Sequence, residues 1–311
     1  MAALSPPPRH EIVWQLASAC RRHADALVPL LTTHRDAAAL EYRRDVLTAI
    51  ALLKGVLTDS AAHDAVPSSE PGAGGLSTAV EARTRYMLAR LYLEHTENGD
   101  EAAAQARRII HLTRGISGMD ALRMGAYEVQ AKVQLRQCQL RMARTSVREA
   151  QKEAERLGLH GWYYHFIITQ LKLLAEDAAS KGRQMFTAMF SVLADTVDYA
   201  RGHGHRDAQT FFLLMRAQYG LLADDARTAK QALDEAAQCL ADDALDDTEQ
   251  PGDLSAMTCM ARPHSGTSIS HARHLWLRIL YGVHYGDAKS ALASLQQLQD
   301  ILNWWTLPRV S

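Results

Sequence analysis

Apolar side chains return at three- and four-residue steps along almost all of this chain, most clearly from Val80 to Asn98 (VEARTRYMLARLYLEHTEN). Val80, Thr84, Met87, Leu88, Leu91 and His95 fall on one side of a helix, while Arg83, Arg90, Glu94 and Glu97 fall mostly on the other. Ser77 is placed to cap the start and Asn98-Gly99 to stop the helix. Asp100 and Glu101 then set carboxylates at the positive end of a second helix that follows at once. The pattern predicts an antiparallel helical hairpin.

Extended over the chain, the same periodicity predicts about twelve helices in six antiparallel pairs. The pairs are 10–31 with 36–58, 77–96 with 99–114, 117–134 with 136–157, 160–177 with 180–203, 205–222 with 224–241, and 268–285 with 287–304. Short turns force paired neighbours to run antiparallel, and hairpins with no sheet to cover bury their apolar stripes on one another. The expected fold is therefore all-α, a right-handed superhelix of antiparallel helix pairs, resembling degenerate tetratricopeptide repeats and forming a single α-solenoid over residues 1–311.

An internal repeat supports it. Setting Asp224-Asp225 on Gly286-Asp287 brings Gly220 over Gly282, Ala229 over Ala291 and Leu233 over Leu295, an offset of 62 residues. Small residues where helices touch, with a leucine one turn on, are what a close-packed hairpin requires. Two polar stretches interrupt the array. Pro, Gly and Ser crowd Asp59 to Ser77, acidic residues crowd the start of Asp242 to Thr267, and flexible loops are expected near 59–77 and 242–267.

Composition changes this picture little. The 311 residues are 47% hydrophobic and 22% charged, a globular balance, and with aromatics at 6% and few alternating β-branched runs there is little to build strands from. A formal net charge of −1 supplies no global attraction for nucleic acid or anionic membranes. Cys20, Cys138, Cys239 and Cys259 lack paired spacing and read as thiols of a reducing compartment. The start, MAALSPPPRH, has prolines where a signal peptide needs an apolar segment. The apolar run from Leu47 to Leu57 contains Lys54 and is too short to span a bilayer, so an intracellular, soluble protein is expected.

Four constellations carry candidate chemistry. Asp242-Asp243-Ala244-Leu245-Asp246-Asp247 matches the DDxxD pattern that holds magnesium and diphosphate in helical isoprenoid synthases, but it has no second acidic motif and reads better as a solvated linker. Cys259, His264, His271 and His274, or His203 with His205, match no standard zinc spacing. Lys132 to Arg156 holds seven cations (Lys132, Arg136, Arg141, Arg144, Arg148, Lys152, Arg156) against three glutamates, a set suited to DNA phosphates or an acidic peptide. The preferred reading is a wet helix face with Arg148 and Lys152 paired to neighbouring glutamates. Trp162, Tyr163, Tyr164 and Phe166 read chiefly as core. No phosphate loop, nucleophile elbow or HExxH occurs, so neither an enzyme, a metal nor a cofactor is expected.

The hairpin at 80–98 resembles the hallmark of the MAU2/Scc4 family, the tetratricopeptide-like subunit of the cohesin loader, in its VEART start and HTEN turn. GWYYHFIITQLKLLAED, DYARGHGHRDAQTFFLLMRAQYGLL and LWLRILYGVHYGDAKSALASLQQLQDIL resemble later passages of that family in the same order. The resemblance covers roughly 10–305, is strongest at 80–98, and implies that the chain corresponds to the family's amino-terminal half. It implies a non-catalytic nuclear scaffold that clasps the extended amino-terminal segment of the Scc2/NIPBL subunit and reaches cohesin and chromatin through it. No membrane and no small-molecule substrate are expected. By analogy with tetratricopeptide grooves, the partner-binding side chains are Phe211, Leu214, Gln218, Leu221, Trp276, Leu280 and Val283. The alternatives are an unrelated tetratricopeptide-type adaptor and the magnesium-dependent synthase.

Overall fold

The computed structural model describes residues 8–32, 35–64, 77–181, 183–246 and 265–306. These form twelve α-helices: α1 (Arg9–Leu27), α2 (Arg35–Asp64), α3 (Thr78–His95), α4 (Gly99–Leu112), α5 (Asp120–Arg136), α6 (Leu140–Arg156), α7 (His160–Lys181), α8 (Arg183–Gly202), α9 (Arg206–Leu222), α10 (Ala226–Asp246), α11 (Ser265–Tyr285) and α12 (Ala288–Thr306). One 3-10 segment, Val28–Thr32, follows α1, and no strand occurs among the described residues. The all-α reading holds, and five of the expected pairs pack together, α1 with α2, α3 with α4, α5 with α6, α9 with α10 and α11 with α12, while α8 packs on α9. α2 runs on to Asp64 and α10 to Asp246, beyond the expected ends near 58 and 241, while 65–76 and 247–264 lie outside the described residues.

The α3–α4 corner shows how a local sequence makes a turn. The Ser77 hydroxyl accepts from the Val80 amide at 3.4 Å, and Arg85 and Arg90 pair with Glu81 and Glu94 one turn away, at 2.8 and 2.5 Å. The stop differs from expectation. Thr96, not Asn98-Gly99, breaks the helix: its backbone is extended, its hydroxyl donates to the Tyr92 carbonyl (2.8 Å), and it accepts from the Asn98 amide (3.1 Å). Gly99 is already the first residue of α4. A threonine that satisfies an orphan carbonyl and the first amide of the exit replaces the left-handed glycine cap.

Backbone contacts divide the chain into two compact units, with the boundary between Phe166 and Ile167 inside α7. In the first unit α1 pairs with α2, α3 with α4 and α5 with α6, and the first helices α1, α3 and α5 also touch in succession. Alanines 17, 24, 49, 89, 102, 106 and 126 are buried between them, which lets backbones approach closely, and Leu53, Leu88, Leu91, Ile109 and Val129 fill the remaining space. Trp14 of α1 is tied to α3 from two sides. Its indole Nε1 donates to Thr84 Oγ1 at 2.9 Å, and the Arg83 guanidinium lies 4.7 Å over its ring.

In the second unit α8 packs on α9, α9 on α10, and α11 on α9, α10 and α12. The internal repeat is visible atom by atom. Asp224 and Gly286 both adopt left-handed φ, 55° and 82°, and the next residue caps the following helix: Asp225 accepts from the Thr228 amide (3.0 Å), Asp287 from the Ser290 amide (3.2 Å). A Cβ on Gly220 would lie 2.9 Å from the Ala229 nitrogen, and one on Gly282 would lie 2.6 Å from the Asp287 carbonyl oxygen.

Candidate functional site

In the second unit the first helices of the two repeated hairpins, α9 and α11, lie side by side and carry all seven predicted groove residues. Gln218 is exposed, Phe211 and Leu221 are half-buried, and Trp276, Leu280 and Val283 are 52%, 40% and 72% exposed. Leu214 is 1% exposed and belongs to the core between hairpins. The last three recur at four- and three-residue steps and form an apolar stripe along α11.

Arg273 is the residue that reading the sequence left out. Its guanidinium lies 5.3 Å over the Phe211 ring and its Nη2 donates to Gln218 Oε1 at 2.9 Å, so it spans the seam between α9 and α11. Burial lowers its pKa from the ordinary arginine value, against the favourable field of Tyr219. The signal was present, since Arg273 is the 62-residue equivalent of Phe211. Below it His274 is buried, and its Nε2 donates to the Leu233 carbonyl at 3.1 Å. Burial pushes its pKa from 6.5 down to about 4, so it is neutral near pH 7.

In the first unit, a cavity of about 600 Å³ is lined by Glu128, Leu159, His160, Trp162 and His165. Lys132 Nζ and His165 Nε2 lie 2.6 and 3.4 Å from the same Glu128 oxygen. The His165 hydrogen bond, then Lys132, hold this carboxyl down at about 2 against the effect of burial. Of the aromatic run, Tyr163 and Phe166 are core, and Trp162 and Tyr164 are half-buried. A second cavity of about 470 Å³ lies between α1 and α3, beside Glu11, Trp14, Arg22, Arg83 and Met87.

The other constellations resolve differently. Asp242 is exposed on the last turns of α10, and Asp247, Cys259 and His264 lie outside the described residues. Among the described residues no three His, Cys, Asp or Glu are arranged to hold a metal. Of the basic segment, Lys132 pairs with Glu128, Arg156 with Glu153, and Arg136 donates to the Leu93 carbonyl. The expected pairing of Arg148 and Lys152 with neighbouring glutamates is absent: both are exposed, with no ion pair among the described residues.

Residues 9–263 match the cohesin loading factor family, which takes in α1 to α10. The chain belongs to the cohesin loading factor family. The α11–α12 hairpin lies beyond the stretch that this family matches. No curated protein is similar enough to match. Among solved structures, the chain is similar to the nearly identical TPR-like repeats of a Podosopora anserina protein described as a kinesin light chain. That likeness has 12% identity over 97% of this chain and 100% of that one, with a TM-score of 0.38. A point variant of the same protein gives 12% identity over 95% and 97%, with a TM-score of 0.35.

Proposed function

We infer that this protein is a non-catalytic scaffold of the cohesin loading machinery, acting in the nucleus, and that it holds an extended amino-terminal segment of the Scc2/NIPBL-like loader subunit. The observation that carries this is the family match over residues 9–263. The segment lies on the α9–α11 surface, where Phe211, Leu221, Leu280 and Val283 offer apolar contact, Gln218 offers an amide and Arg273 offers charge and hydrogen bonds. Gln218 and Leu280 are repeat equivalents that are both exposed, which suits a ligand running across successive hairpins. A disordered segment loses conformational entropy on binding, and a long contact surface offsets that loss. Cohesin and chromatin are reached through the loader subunit.

The test is coexpression of the full chain with the amino-terminal segment of the Scc2-like protein from the same organism, followed by size exclusion and calorimetry. A one-to-one complex with a strongly negative heat-capacity change is expected. Leu280→Asp together with Val283→Asp should weaken it at least about tenfold while leaving helicity unchanged. Absence of binding by well-folded protein defeats the partner assignment, and binding indifferent to the double variant moves the site elsewhere.

A further inference from the structure

Two neighbouring second helices of the first unit, α4 and α6, each carry a row of cations. On α6, Arg141, Arg148 and Lys152 are exposed along one face, over a run of about 16 Å. On α4 and just after it, Arg107, Arg108 and Arg114 are exposed, and the sequence from Ala102 to Met119 holds no acidic residue. Of these six cations Arg108 alone has an ion pair among the described residues, at 3.9 Å from Glu81. Glu149 and Glu155 are the exposed acids of α6, Glu153 is already shared by Arg123 and Arg156, and Asp100 and Glu101 stand apart on the first turn of α4. The two rows run side by side in the same direction. Gln137, just before α6, donates its side-chain amide to Asp100 at the start of α4 (2.9 Å), and Arg123 joins the Thr113 carbonyl just after α4 to Glu153 near the end of α6 (2.7 and 3.2 Å). Ala102, Ala106 and Ile109 of α4 and Ala143, Val147, Ala150 and Ala154 of α6 are buried, which leaves the cations on the outward side of both helices. Cations gathered without partners repel one another, a mild cost to the fold that an anionic ligand would remove.

We propose that this face binds the phosphate backbone of double-stranded DNA without regard to sequence, a direct contact in addition to the one made through the loader subunit. Charge and breadth select that ligand. Five of the six cations are arginines, whose planar guanidinium donates paired hydrogen bonds to phosphate. They stand in two rows, and over the length of the α6 row a duplex presents a backbone charge every ~1.7 Å of its axis. A peptide binds tightly through buried apolar anchors, and the one large apolar side chain exposed on these two helices is Met142. Each helix with its side chains is about 10 Å across, so the two together are too wide for a major groove of about 12 Å. The cations therefore meet phosphates and not base edges, and release of counterions supplies the affinity. The net charge of −1 gives the chain no general attraction for DNA, so binding at all is the work of this patch.

Fluorescence anisotropy of labelled duplexes of unrelated sequence, titrated with the full chain at several salt concentrations, tests this. Affinity should be alike for all the sequences and should fall with salt at a logarithmic slope of about −4.5, the value for about five phosphate contacts. Arg148→Glu with Lys152→Glu, and separately Arg107→Glu with Arg114→Glu, should each weaken binding at least about tenfold and cut the slope by about 2. Helicity should be unchanged, because none of the four has an ion pair to lose among the described residues. Lys230→Glu with Lys289→Glu, an equal change of net charge at exposed positions of the second unit, should leave affinity and slope as they are. A chain that does not bind duplex at low salt overturns the proposal. So does equal weakening by the second-unit variant, which would make binding a general charge effect. Displacement of the duplex by polyglutamate as readily as by unlabelled duplex also overturns it, and would assign the face to an acidic protein.

Discussion

Gly220 and Gly282 each do a job that no other residue type can do in place. Both sit where the first helix of a hairpin crosses the second, and an added methyl would meet Ala229 or Asp287 backbone at 2.9 and 2.6 Å, well inside ordinary contact. Backbone cannot step aside as a flexible side chain can, so the cost is overpacking. Gly282→Ala should destabilise the protein by about 2 kcal/mol, and Gly220→Ala by a similar amount, measured by urea unfolding. An unchanged midpoint for both would mean that the hairpins are looser than this packing. The two positions were already legible as a repeated glycine. Leu214 was not, because a leucine on a first helix reads alike whether it faces a ligand or the next hairpin.

At the scale of elements, one buried side chain ties a helix to its neighbours in the first unit. Arg123, near the start of α5, is 3% exposed. Its Nη1 donates to the Thr113 carbonyl just after α4 (2.7 Å), and its Nη2 meets Asp120 (2.5 Å) and Glu153 of α6 (3.2 Å). Three consecutive helices thus share one cation. Truncation leaves a buried carbonyl and two carboxylates without it, so Arg123→Ala should cost about 3 kcal/mol in thermal or chemical denaturation. A loss below about 0.5 kcal/mol would put the network on a level with surface ion pairs. The sequence placed Arg123 within a predicted helix and no more, since its partners come from both flanking elements.

For the whole molecule, buried histidines make stability depend on pH. His274 is held near 4 by burial, and His95 is lowered by burial against the fields of Asp25 and Glu94 while it hydrogen-bonds Tyr42 at 3.1 Å. Both bind a proton less readily folded than unfolded. The unfolded chain therefore takes up more protons once pH drops below about 6.5, and stability falls as pH falls. For His274 the loss runs from 6.5 to about 4 and then ceases, with a slope of up to about 1.4 kcal/mol per pH unit. Glu128, held down at about 2, contributes its loss in a lower window, from 4.5 to 2. Unfolding free energies measured between pH 7 and 4 should show the first decline, and His274→Gln should flatten it. A profile that rises toward pH 4 would contradict the assignment.

Most of the architecture is local in origin. Apolar steps of three and four residues, Ser77, Asp225 and Asp287 as caps, and left-handed turns at Asp224 and Gly286 act within a few residues, so the twelve helices, the pairing of all but α7 and α8, and the 62-residue repeat could be read from the linear chain. Family membership rests likewise on linear order. Contacts between distant residues were another matter. Burial of Leu214 beside exposure of Trp276, Arg273 bridging Phe211 and Gln218, and the depressed pKa of His274 all depend on which helix lies next in space. Helical periodicity says that a face is apolar. Only packing decides whether another part of the chain covers that face or leaves it to a partner.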